Sequence, residues 1–263
     1  MTDYLKARVY AYRYSRNLIV MLISMGLWTL GTILNVFVFG GNGYHISLYY
    51  GVWTFVEFYL CFIPALVPTW YANTTTNGYD GNIPYQTKDR RFHYSAVIFA
   101  FVMNTILVIF SLVLGIMIYS IPNCMVEYTN DPITMFKLIA VLFLSSYCRC
   151  AFVIFSTEIT GSRVWGAVLG MMVSCGYFAD VVLGIESTFC VIFGIRDTTL
   201  PLTSATSFYM INNIIPSSRS GEYDLIARSF PGNIWFMLLS MIAYIALFVG
   251  ITATLNRRKD VLR

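Results

Sequence analysis

The sequence predicts an all-α membrane protein of six transmembrane helices, and three observations carry that reading. Hydrophobic residues make up 57% of the chain and charged residues only 11%, against about 25% charged in soluble domains. The apolar residues fall in runs of about 20, the length that crosses a hydrocarbon core of about 30 Å. Basic residues cluster in alternate gaps between those runs, the pattern of loops sorted to two sides of a bilayer. Residues 1–263, with a mean hydropathy of +0.67, read as one transmembrane domain.

Residues 1–16 mix Lys6, Arg8, Arg13 and Arg16 with Tyr4, Leu5, Val9, Tyr10, Tyr12 and Tyr14. That mixture predicts an interfacial helix in the headgroup region. A cleaved signal peptide is not expected, because the run that follows is too long for an h-region and no small-residue cleavage site comes after it. That run, about residues 18–39, is span one. Span two, about 47–70, contains Glu57, Pro64 and Pro68. Next comes YANTTTNGYDGNIPYQTKDRRFH, residues 71–93, a polar stretch punctuated by Gly and Pro and carrying Lys88, Arg90 and Arg91. Span three, about 94–121, leads to a link with Glu127 and Asp131 but no basic residue. Span four, about 135–155, has Lys137 at its start and Arg149 inside it, and a turn at 156–163 opens span five, about 164–184. Residues 185–194 are apolar but too few to cross, which predicts a short re-entrant helix, followed by a polar loop to 232. Span six, about 234–255, has no charge, and the sequence closes with NRRKDVLR.

Six crossings place both ends of the chain on one side, and charge decides which. Twelve Lys and Arg fall on the side of residues 1–16, 71–93, Arg163 and the tail, against Arg196, Arg219 and Arg228 opposite. The basic side is the cytoplasmic one, so residues 71–93 and both termini are expected inside the cell membrane and residues 185–232 outside.

Several chemistries are excluded by the residues themselves. A phosphate-binding loop needs Gly-Lys-Ser/Thr, and the four lysines are preceded by Leu5, Thr87, Phe136 and Arg258. The two histidines, His45 and His93, fall near opposite faces, so no H-E-x-x-H zinc site forms, and no G-x-S-x-G elbow occurs. We therefore expect no catalytic residue, no metal and no cofactor on this chain. Cys148 and Cys150 lack companion ligands for zinc. A disulfide between Cys124 and Cys190 stays open.

Charged residues inside spans are functional candidates by default. Glu57 falls about 15 Å into span two, near the midplane, as a substrate contact, a proton relay or a hydrogen-bonded carboxyl. Arg149 either snorkels or pairs with Glu57. Asp180 and Glu186 flank the outer end of span five, as substrate contacts or as wet helix ends. Gly166, Gly170 and Ser174 form a small-residue strip for helix packing, within the subunit or across an interface.

Taken together, the basic lead-in, six spans, a polar inner loop after span two, a short re-entrant helix after span five and the NRRKDVLR tail resemble the permease subunits of ABC-2 type exporters. In many bacterial members a proline and then a Ser/Thr-basic-basic group precede span three, and Ile83, Pro84, Thr87, Lys88, Arg90 and Arg91, followed by Phe92, match that pattern. Family members often carry a glutamate at the end of span two, where this chain reads PTWYANTTT. The group that comes closest is the small permeases exporting antimicrobial peptides from Gram-positive bacteria. The resemblance implies that residues 71–93 form the cytoplasmic coupling segment, which contacts two copies of a separate ABC ATPase carrying ATP and Mg. It also implies a second permease subunit, identical or similar, and an amphipathic peptide or hydrophobic drug as substrate. Within the segment, Tyr79, Ile83 and Tyr85 are the side chains suited to fill a partner's pocket, while Lys88, Arg90 and Arg91 mark the membrane boundary. Two other classes fit the spans: an ion-coupled secondary transporter, which usually shows internal repeats, and a membrane sensor or assembly protein without a motor. No nucleic-acid partner is expected, since the basic residues sit beside apolar runs.

Overall fold

Helices form over the apolar runs because, in hydrocarbon, every backbone N–H and C=O must be satisfied within its own segment. The computed structural model describes residues 2–13, 16–40, 46–72, 90–120, 126–127, 132–174, 181, 184–185, 188–189, 191–194 and 234–261. Some of them, including Glu57, Arg90, Arg91 and Lys137, are described by backbone alone. The elements are α1 (Thr2–Arg13), α2 (Arg16–Gly40), β1 (Ile46–Ser47), α3 (Leu48–Ala72), α4 (Arg90–Tyr119), β2 (Val126–Glu127), α5 (Pro132–Thr160), α6 (Arg163–Ser174) and α7 (Ile234–Val261). The architecture is thus all-helical apart from one parallel pairing of two residues, Ile46 with Val126 and Ser47 with Glu127. Among the described residues, Tyr94–Tyr119, Ile139–Thr160 and Leu238–Leu255 are long and apolar enough to cross a membrane, while Leu18–Leu34, Tyr59–Tyr71 and Arg163–Ser174 are shorter apolar helices.

The core sits on one face of α3. Val52, Phe55, Val56, Tyr59, Leu60, Ile63, Val67, Trp70 and Tyr71 are all buried, at the three- and four-residue steps of a single helical stripe. Helix α4 runs antiparallel along it: a Cβ built on Gly115 would lie 3.2 Å from Phe55 Cδ1, so even Ala there would press on the Phe55 ring. Helix α5 crosses behind both and is buried nearly all round from Ser145 to Thr157. Helix α7 leans on α5 through Met241, Phe248 and Thr252, with the Phe248 ring 5.3 Å from those of Phe152 and Phe155. By contrast, Ile19, Val20, Leu22, Ile23, Leu27, Leu30, Leu34 and Val38 of α2 are exposed, the side chains a bilayer would cover.

Two of the expected links between helices are shorter than the sequence suggests. The turn expected at 156–163 shrinks to Gly161 and Ser162, because α5 continues to Thr160. Its polar residues stay helical by bonding backward: Ser156 Oγ to the Phe152 carbonyl at 2.8 Å, Thr157 Oγ1 to Val153 at 2.7 Å and Thr160 Oγ1 to Ser156 at 2.7 Å. Gly161, at φ +62°, ends the helix in the left-handed conformation that glycine adopts without strain. Ser162 Oγ then accepts from the Trp165 amide at 3.5 Å, starting α6 as an N-cap. The stretch expected to be polar loop over 71–93 is likewise shortened. Tyr71 and Ala72 complete α3, and α4 begins at Arg90, leaving 73–89 between them.

Candidate functional site

The ends of α3 and α4 that bracket residues 73–89 are tied together by α1. Leu5, Arg8 and Tyr12 share one face of that helix, and that face is turned inward: Arg8 is 3% exposed and Tyr12 5%. Arg8 donates from Nε to Ser95 Oγ of α4 at 3.2 Å and from Nη1 to the Tyr71 carbonyl of α3 at 3.5 Å. The Tyr71 carbonyl is one of the last four in its helix, which lack an intrahelical partner. A cation beside it also meets the negative end of the helix dipole. One buried guanidinium therefore serves one carbonyl in the C-terminal turn of α3 and one hydroxyl in the second turn of α4.

Around Arg8 lies a ring of further ties. Trp70 Nε1 donates to Tyr12 Oη at 2.9 Å, Tyr12 Oη donates to Met21 Sδ at 3.5 Å, and Tyr71 Oη donates to Glu158 Oε1 of α5. The Tyr12 ring meets Phe99 edge-on with centroids 6.0 Å apart. Burial pushes the Tyr12 phenol above its ordinary 10.0, opposed by the bond from Trp70, so this hydroxyl stays neutral at physiological pH. Helices α1 to α5 all contribute a side chain. The cluster holds no metal-binding group of three His, Cys, Asp or Glu among the described residues, and its chemistry is that of a clamp.

A second polar seam runs between α4 and α5. Asn104 Nδ2 donates to Ser146 Oγ at 3.0 Å, and Thr105 and Tyr147 share a hydroxyl bond at 2.7 Å. Asn104 Oδ1 is buried and has no hydrogen-bond partner among the described residues. Arg149 follows one turn after Ser146 and is 1% exposed, so this guanidinium lies inside the bundle. On α2, Thr29 bonds the Tyr59 hydroxyl at 2.8 Å, and Tyr59 donates to the Met25 carbonyl at 3.1 Å.

The remaining sequence candidates divide sharply. The Gly166, Gly170 and Ser174 strip on α6 is buried against the same subunit. A Cβ on Gly166 would run into Thr157, whose Cα lies 3.0 Å away, and one on Gly170 would meet Val153 and, at 3.0 Å, Pro64 Cβ. Glu57 lies on α3, and Arg90 and Arg91 open α4, with their side chains outside the described residues. Tyr79, Ile83, Pro84, Tyr85, Lys88, Asp180, Glu186, Cys124 and Cys190 lie outside the described residues altogether. Sequence reasoning missed the clamp residues Arg8, Tyr12, Trp70, Tyr71, Ser95 and Glu158. The signal available was the Leu5, Arg8, Tyr12 spacing, which marks one face of a helix, and the adjacent aromatic pair closing span two. No family model, curated protein or solved structure matches the chain.

Proposed function

We propose that this chain is the membrane-spanning permease subunit of an ABC-type exporter, with six spans, both termini cytoplasmic and its ATPase on a separate polypeptide. The observation that supports it most is the pairing of a polar, proline-containing segment, followed by Arg90 and Arg91 at the start of α4, with a clamp at its root. Residues 73–89 leave α3 at Tyr71–Ala72 and return at Arg90, and Arg8 joins the two helix ends a few residues away. A segment rooted in that way passes a push from outside the membrane to two core helices together. Residues 1–263 contain no phosphate-binding loop, and in this reading the push comes from a partner.

In this reading two ATPase subunits close on ATP and Mg, each pressing on one coupling segment, and a pair of permeases alternates between inward- and outward-open states. Glu57 and Arg149 lie along the path, with Asp180 and Glu186 at its outer end, and amphipathic peptides or hydrophobic drugs are the substrates it would suit. The deciding experiment replaces Tyr79, Ile83 and Tyr85 together by Ala. The variant is expected to insert normally but to lose the ATPase on co-purification, or to hydrolyse ATP without transport. Full ATPase recovery with intact transport would remove the coupling assignment.

A further inference from the structure

We infer that the outward face of α1 is a binding surface for anionic lipid headgroups. The two faces of this helix are differently built. Leu5, Arg8 and Tyr12 turn toward the bundle, whereas Lys6, Val9, Tyr10 and Arg13 turn away from it; Val9 is 54% exposed and Tyr10 66%. At 100° per residue, Lys6, Tyr10 and Arg13 fall on one stripe, with Val9 beside it. Of the three cations on α1, Arg8 is buried, and Lys6 and Arg13 are exposed on a face that also carries Val9, Tyr10 and one acid, Asp3.

The level of this face selects its occupant. Helix α2 begins at Arg16, and its exposed apolar side chains start at Ile19 and Val20, about 5 Å along the helix. With that apolar band in hydrocarbon, α1 lies at the headgroup level, where a cation-aromatic surface meets phosphate and anionic headgroups. The same helix holds the Tyr71 carbonyl and Ser95 through Arg8. A lipid bound outside α1 is thereby linked to both helix ends that bracket residues 73–89.

This inference rests on the membrane reading alone. Loss of the ATPase contact would leave it standing, and its own failure would leave that contact standing, since the two experiments read different segments. The test is hydrogen exchange of the full chain in nanodiscs of phosphatidylcholine, compared with equimolar phosphatidylcholine and phosphatidylglycerol. Each exposed cation near an anionic surface is expected to raise protection of the α1 amides about fivefold. The gain should shrink in high salt, which screens exposed charge. In Lys6→Gln/Arg13→Gln the gain should vanish, while α3 and α4 keep their protection as an internal control of folding. Equal α1 protection in both lipids overturns the assignment, as does a lipid-dependent gain that survives in the double variant. Protection of α1 that appears only with an added protein partner also overturns it.

Discussion

Helices α5 and α7 both contain a stretch apolar enough to cross a bilayer, yet they occupy opposite places in the bundle. Of the crossing stretch in α5, 61% is buried in the protein, against 17% in α7. The less apolar helix is the more buried one. Ser145, Ser146, Arg149, Ser156 and Thr157 are all inside α5's surroundings, whereas the exposed side chains of α7 include Leu239, Ile242 and Leu247. In water the opposite order holds, because apolar surface seeks the core. Lipid is as apolar as Leu, so what draws a membrane helix inward is close approach and polar pairing. Between α5 and α7, the span that carries the polar residues is the central one.

That contrast sets the size of mutational effects. The largest is expected from Gly170→Leu, which forces a side chain into Val153 and Pro64. A loss of about 3 kcal/mol should appear as a collapse of the monodisperse peak in fluorescence-detected gel filtration after heating. Arg8→Met comes next. It strips the Tyr71 carbonyl and Ser95 of a charged donor, at a cost of about 2 kcal/mol, and should raise hydrogen exchange at the end of α3 and the start of α4 together. Ser146→Ala removes the hydroxyl that accepts from Asn104 Nδ2 and is expected to cost about 1 kcal/mol in thermal unfolding. Asn104→Leu should cost less than Ser146→Ala, because it also removes the buried Oδ1 that has no partner among the described residues. Smallest is Leu247→Ala on the exposed side of α7, at under about 0.5 kcal/mol. A cost there equal to that of Ser146→Ala would break the comparison, since that face would then be covered by protein.

The helices themselves were legible in the sequence, because a run of about 20 apolar residues has few other stable forms in a bilayer. Their ends were less so. Ser156, Thr157 and Thr160 read as a turn by type, yet each hydroxyl bonds to a carbonyl one turn back, an option that composition does not reveal. The clamp was harder to read for a different reason. Lys6, Arg8 and Arg13 are equivalent as a basic lead-in, and only the docking of α1 against Tyr71 and Ser95 separates the buried Arg8 from its exposed neighbours. The order of burial among the spans was likewise hidden, since hydropathy ranks helices by affinity for lipid and says little about which one other helices surround.

The two-residue pairing of β1 with β2 acquires a mechanical meaning beside the clamp. Ile46 and Ser47 directly precede α3, and Val126 and Glu127 follow α4 by a few residues. The α3–α4 hairpin is thus fastened at one end by Arg8 and at the other by a strand pairing. Fastened at both ends, two antiparallel rods cannot splay like scissors. Under the proposed function, a force applied at residues 73–89 would tilt or slide the pair as one strut, and the β1–β2 pairing would feel it at the opposite end.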